Sequence, residues 1–391
     1  MGSYISSNAN RFYTVLESSY GQVGAVAAEN RFPAVKLGIK QQAEVTDRRD
    51  KTGSRTFVGI PSGGRRKTTF DLKTYLTSWD KAASGGPAYL PLFHGALGGN
   101  PQTFAGAPAG AGTQGATLVF GAGHNLSSGQ ALAYAGEIRF VRAVVNSTAV
   151  LLNAPFTTTP AAGATIGGAV TLAPATELPS VSIFDYWSPS SAVQRILCGA
   201  AVDRMEVKVN GDFHEASFSG FAQDLLDSSS FDSEAGGLQN FPQEPGVSAF
   251  DYSLVPGHMG QVWLGSSPER FYTLTSGTIV VDNDLDARGR EFGSSVARAI
   301  SPGRRTVTAA FELFSQDDSA TASLCQAAKQ QSPIEVMLQL GEVEGQLLGV
   351  YLKSVVPEVP EFDDGDRRLQ WKFRPSRAQG TTDDEIAVAF A

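Results

Sequence analysis

The sequence predicts a mainly β fold, with two tandem β-sandwich domains, each carrying a short helix, and a small β domain inserted into the first. Three observations lead there. Gly is abundant, at 42 of 391 residues, and Ser and Thr are frequent. That composition favours many strands joined by turns over long helices. Two distant segments read alike, GRRKTTFDLKTYL from Gly64 and GRRTVTAAFELFS from Gly303. Between about residues 115 and 173 lie short runs rich in Val, Ile and Leu, broken by Gly, Asn and Pro.

The likeness of the two segments extends to their flanks. RFPAVKLGI precedes the first and RFYTLTSGTIVV the second, and Arg31 precedes Arg65 by the same 34 positions by which Arg270 precedes Arg304. Side-chain phase agrees as well. Thr68, Phe70, Leu72 and Thr74 share one face of a strand, and Val307, Ala309, Phe311 and Leu313 occupy the matching phase. Period two with one apolar face is a half-buried strand, and a slip of one residue would invert it.

Each copy then offers a short helix. In the first it is YLPLFHGALGG, stopped by Gly98 and Gly99. In the second it starts near Asp317, with Asp or Ser as N-cap and Ala322, Leu324 and Ala328 as its apolar side. Each copy ends in a hairpin, one turning at Asn210-Gly211 and the other at Asp364-Gly365. Pro357 and Pro360 interrupt a strand of the second copy, which predicts an edge or irregular segment there.

The predicted organisation is a discontinuous first domain over 1–100 and 176–230, an inserted β domain over 101–175, a connector over 231–267 and a second domain over 268–391. The insert follows a Gly/Ala/Pro linker and reads as a decoration domain. A carbohydrate-binding role is the alternative, but Phe120, Tyr134, Phe140 and Phe156 read as its core. The stretch from Gly236 to Ser267 matches nothing in the first copy.

Apolar residues make up 42% of the chain, which marks a globular protein, and the net charge is −8. An acidic chain is a poor candidate for gripping nucleic acid, since phosphate affinity comes from Lys and Arg. Cys198 and Cys325 are too few for a disulfide framework and read as small buried residues in a reducing compartment. No apolar run is long enough to span a membrane, and the first residues lack the basic start and apolar core of a signal peptide.

Catalytic and ligand motifs are not found. His94, His124, His214 and His258 have neither a His partner one turn away nor a Cys pair. There is no nucleophile elbow and no P-loop. VDNDLDARG, from Val281, lacks the terminal Glu of a calcium loop and reads as a polar strand end. His214 and Glu215 are neighbours on a strand, so they point to opposite faces and form no dyad. No enzyme activity, cofactor or metal is expected.

The repeat, the paired-arginine strands and the acidic charge together resemble the tail tube proteins of long-tailed bacteriophages. The resemblance is carried by RFPAVKLGIKQQAEVTDRRDKTGSRTFVG with RRKTTFDLKTYL in the first half, and by GREFGSSVARAISPGRRTVTAAFELF with the closing TTDDEIAVAF in the second. It covers about residues 20 to 98 and 180 to 391 and leaves out the insert.

That resemblance implies tail-tube-like β-sandwich domains whose long sheets join around a ring, with rings stacked into a hollow tube. Most members carry one such domain and form hexamers, so a chain with two copies implies a homotrimer that imitates a hexamer. Four barrel strands from each of six domains make about 24 strands, a circumference of roughly 115 Å and a diameter of about 37 Å, which leaves a bore for duplex DNA.

The implied role is a structural virion protein, a major tail protein that conducts DNA into the host. Its partners would be copies of itself, other tail proteins (tape measure, terminator, tail tip) and genomic DNA passing without specific binding, with no membrane. It would reside in the virion tail after assembly in the host cytoplasm. Glu206 and Glu215 are the lumen-lining candidates, placed opposite each other if Asn210-Gly211 makes a two-residue turn. Arg65, Arg66, Arg304 and Arg305 are the assembly candidates, forming bridges between subunits or rings, or else ending as solvated strand termini. Two rivals share the composition: a tail-tip or baseplate ring on the same fold, and a β-rich adhesin that binds glycans.

Overall fold

A computed structural model describes residues 4–44, 50–57, 59, 64–80, 85–246, 253–365 and 367–391. Parts of the first copy's long loop and of the connector (247–252) lie outside these described residues. The chain is mainly β, as its composition predicts.

The chain opens with β1 (Asn10–Leu16), β2 (Arg31–Phe32), β3 (Ala34–Ala43), β4 (Arg66–Tyr75) and helix α1 (Leu90–Leu97). Next come β5 (Gln102–Phe104), β6 (Ala107–Pro108), β7 (Thr117–Val119), β8 (Ala131–Tyr134), β9 (Glu137–Asn146), β10 (Ala149–Leu152), β11 (Thr165–Ile166) and β12 (Ala169–Leu172). β13 (Val181–Trp187), β14 (Arg195–Val209), β15 (Glu215–Ala222) and β16 (Asp224–Asp227) complete the first half. The second half holds β17 (Gly260–Gly265), β18 (Glu269–Phe271), β19 (Leu274–Asp282), β20 (Asp286–Ala287), β21 (Ile300–Ser301), β22 (Thr306–Phe314) and helix α2 (Ser319–Gln330). It ends with β23 (Ile334–Leu340), β24 (Leu348–Val355), β25 (Glu361–Asp363), β26 (Gln370–Arg377) and β27 (Ala387–Phe390).

The predicted strand phase holds in both halves. Thr68, Phe70, Leu72 and Thr74 are buried on β4, and Val307, Ala309, Phe311 and Leu313 on β22. The helix ends also follow their sequence signals. Gly98 closes α1 at φ 90°, and a Cβ there would lie 2.3 Å from the Glu177 carbonyl oxygen, so glycine fits where other residues collide. Asp318 caps α2 by accepting the Thr321 N–H at 2.7 Å. Leu324 and Ala328 are buried as expected, but Ala322 is exposed and Thr321 fills the apolar side in its place.

One long antiparallel sheet runs β3-β4-β15-β14-β19-β22-β26-β25. Its first four strands come from the first half and its last four from the second. The seam is β14 against β19, with Glu206 opposite Val280 and Val207 opposite Ile279. A second layer packs behind it. β14 bends out of the long sheet, and its first residues pair with β13 and β16, with β1 and β2 beyond. In the second half the layer runs β18-β17-β23-β24-β27. A single apolar core fills the space between and joins Phe218 and Leu72 to Phe311, Phe373 and Phe390.

The two halves repeat each other down to their irregularities. In β1 against β2, Phe12 faces Phe32 and Tyr13 faces Arg31; in β17 against β18, Val262 faces Phe271 and Trp263 faces Arg270. The bulge between Ala34 and Lys36 recurs between Leu274 and Ser276. The one between Val181 and Ile183 recurs between Ile334 and Val336. The stretch from Gly236 to Ser267 thus does hold a counterpart: β17 takes the place of β1, although GQVWLG and NRFYTVL share no pattern a sequence reading would match. Where β14 is continuous, the second half has two shorter strands, β24 and β25, separated by the stretch with Pro357 and Pro360.

The inserted strands are anchored at both ends. β5 and β12 pair with each other, and β12 adds to β27, so the insert extends the outer sheet of the second half. Its four-stranded sheet, β7-β10-β9-β8, lies over that layer. Ala131, Ala133, Ile138 and Phe140 share a core with Met337, Tyr351 and Ala389, and Phe140 stacks on Tyr351 at 5.3 Å. Phe120, Phe140 and Phe156 are buried, in keeping with a core role.

Candidate assembly surface

The long sheet has one face in the core and one face open. On the open face several cations and anions pair along and across strands. Lys73 and Glu215 form an ion pair at 2.7 Å. Glu206 lies 3.1 Å from Arg204 and 3.4 Å from Lys208. Lys372 meets Asp363 at 2.6 Å, and Arg374 pairs with Glu361.

Glu206 and Glu215 are therefore not opposite each other. Glu206 faces Ser217, and Glu215 faces Lys208. The cause is the turn. Asn210 has the positive φ expected of it, 64°, but the hairpin does not close in two residues. Residues Val209 to His214 are drawn instead to a neighbouring segment. The His214 N–H donates to the Val255 carbonyl at 3.3 Å, and the Gly257 N–H donates to Asp212 at 3.1 Å. Both glutamates remain on the open face, each with a cation partner, so neither adds unscreened negative charge there.

The paired arginines divide in the structure. Arg66 pairs with Asp224 at 2.9 Å, and Arg65 donates to the Arg290 carbonyl at 3.3 Å. Arg305 is held by Asp383 and Glu385, both at 2.5 Å, and donates to the Ala175 carbonyl at 2.9 Å. Arg304 is exposed. Arg305 thus ties β22 to the acidic end of the chain and to the end of the insert, a partnership that sequence spacing gives no sign of.

The remaining candidates for chemistry stay apart. His94, His124 and His214 are buried and His258 is exposed, and no group of His, Cys, Asp and Glu among the described residues is arranged to hold a metal ion. His124 is held by the Asn146 carbonyl at 2.9 Å and the Leu126 N–H at 2.9 Å. Burial pushes the Cys198 thiol up to about 12. In VDNDLDARG the buried polar residue is Asn283, whose amide donates to the Ala96 and Val202 carbonyls at 2.9 and 3.0 Å. No helix among the described residues is long and apolar enough to cross a membrane.

The two edges of the long sheet are its distinctive surface. β3 pairs only with β4, and β25 only with β26, among the described residues. Val35 on the first edge, and Val359 and Phe362 at the second, are exposed. Exposed strand edges with apolar side chains are templates for further pairing.

No family model and no curated protein matches the chain. Among solved structures it is similar to a hybrid structure of the SPP1 tail tube determined by solid-state NMR and cryo EM, at 12% identity, over 33% of this chain and 81% of that one, with a TM-score of 0.27. At that score the likeness carries no assignment of its own.

Proposed function

We propose that the chain is a structural subunit of a bacteriophage tail tube, assembling through its long sheet into stacked trimeric rings that let DNA pass. One observation carries this reading. Within a single chain, four strands of one half and four equivalent strands of the other already join edge to edge at β14 and β19. A chain that makes this junction internally, and leaves the same two kinds of edge free at its ends, is built to continue it with its neighbours. Three chains would supply about 24 strands, the number that gives a bore wide enough for a DNA duplex. Paired charges on the open face and a net charge of −8 suit a wall past which phosphates slide without gripping.

The test is negative-stain electron microscopy over a concentration series. Hollow tubes of stacked rings with threefold density are expected. Single rings at every concentration would move the assignment to a tail-tip ring. Monomers that bind a glycan panel would overturn the tube reading in favour of an adhesin.

A further inference from the structure

We propose that the free edge of β25 in one chain pairs antiparallel with the free edge of β3 in a second copy, with Glu361 opposite Lys40, Phe362 opposite Ile39 and Asp363 opposite Gly38. This rests on the ring reading above and adds to it the strands and the register.

The register is dictated from inside the chain. Immediately after the bulge in each half, one row of residues crosses four strands. In the first half it is Lys36, Lys73, Ser217 and Glu206. In the second it is Ser276, Glu312, Lys372 and Glu361. Glu361 is therefore the counterpart of Glu206, Phe362 of Val207 and Asp363 of Lys208. By the same rows, Lys40, Ile39 and Gly38 of β3 are the counterparts of Val280, Ile279 and Thr278 of β19. At the internal seam Glu206 faces Val280, Val207 faces Ile279 and Lys208 faces Thr278. Replacing each residue by its counterpart gives the proposed pairs.

The chemistry of the two edges fits that register. Glu361 and Lys40 are both exposed and of opposite charge, and Asp363 opposite Gly38 lies diagonal to Lys36 and Lys40. Opposite charges facing across strands stabilise a pair, and like charges oppose it. The bond between Glu361 and Arg374 is an exposed pair worth little, so it does not compete strongly. Phe362 is 57% exposed, whereas its counterpart Val207 is 0% exposed because β19 covers it. Ile39 on a second copy supplies the missing cover. Pro360, which has no N–H, limits the ladder at one end. The contact joins two different edges, so it propagates head to tail and closes into a ring if the rotation allows.

The test uses the full chain with Cys325→Ser, adding Ile39→Cys and Phe362→Cys together or singly, under mild oxidation. Directly opposite residues are within disulfide reach. The double variant is expected to give a ladder of linked chains, with dimer roughly tenfold above either single variant. In parallel, Lys40→Glu and Glu361→Lys are each expected to raise the concentration needed for assembly roughly tenfold, and the two together to restore it. Circular dichroism of the monomers separates misfolding from lost pairing. Rings in the parent chain without a ladder in the double variant overturn the register and leave the tube reading intact. Neither rings nor ladder overturns both. A ladder without rings upholds the pairing and sinks the tube.

Discussion

The guanidinium of Arg139 lies 5.0 Å from the ring of Trp263, across the seam between the inserted strands and the second half. Arg139 is fully buried. It forms an ion pair with Glu137 at 3.1 Å and donates to Gln261 at 3.1 Å and to the Pro155 carbonyl at 3.0 Å. Glu137→Gln strands a buried cation, at a cost of about 3 kcal/mol. Adding Arg139→Met removes the charge and recovers part of that loss. Thermal melts of the two variants check the order. Burial pushes the Glu137 carboxyl up, but Arg139 and hydrogen bonds from Thr157 and Gln261 outweigh it and hold the group below its ordinary value of 4.5. The sign follows: this contribution is full above that value and is lost as the pH falls through the lower folded-state value.

His214 gives a second pH dependence. Its Nε2–H donates to the Met259 carbonyl at 2.8 Å, with the ring buried. Burial pulls it below its ordinary value of 6.5, against the Met259 bond, and electrostatic repulsion from His258 adds to the effect. Folding then favours the neutral ring, so its contribution is present above 6.5 and declines on acidification through the lower folded value. Melting temperature is expected to fall between pH 7.5 and 5, and to fall less in His214→Gln. An equal fall in both proteins would refute the assignment.

Gly349 marks where the insert presses on the second half. A Cβ at this position would lie 2.9 Å from the Phe140 ring and 3.0 Å from Ile138. Gly349→Ala is expected to cost roughly 1–3 kcal/mol by overpacking. Phe140→Leu on that background should return part of it, and a double-mutant melting cycle measures the coupling. Additive losses would place the strain elsewhere.

The strands that carry the sequence repeat were legible because period two and equal spacing are local properties. Thr68 to Thr74 and Val307 to Leu313 bury the faces their alternation marks. The helix stops at Gly98 and the cap at Asp318 are equally local. β1 and β17 were not legible as a pair, because they share pairing partners and no residue pattern. The Asn210-Gly211 turn was legible as a turn but not in length, since its closure depends on Val255 and Gly257, far along the chain.

The sequence by itself determined the mainly β class, the phase of β4 and β22, and the repeat that aligns them. Only the tertiary structure decided that the two halves share one sheet through β14 and β19, that the insert joins the second half's outer layer, and that Glu206 pairs with Arg204 and Lys208 and Glu215 with Lys73. The physical reason is that a residue's phase is fixed by its nearest neighbours, whereas an edge partner is chosen by whatever free strand and side chains the rest of the chain brings alongside.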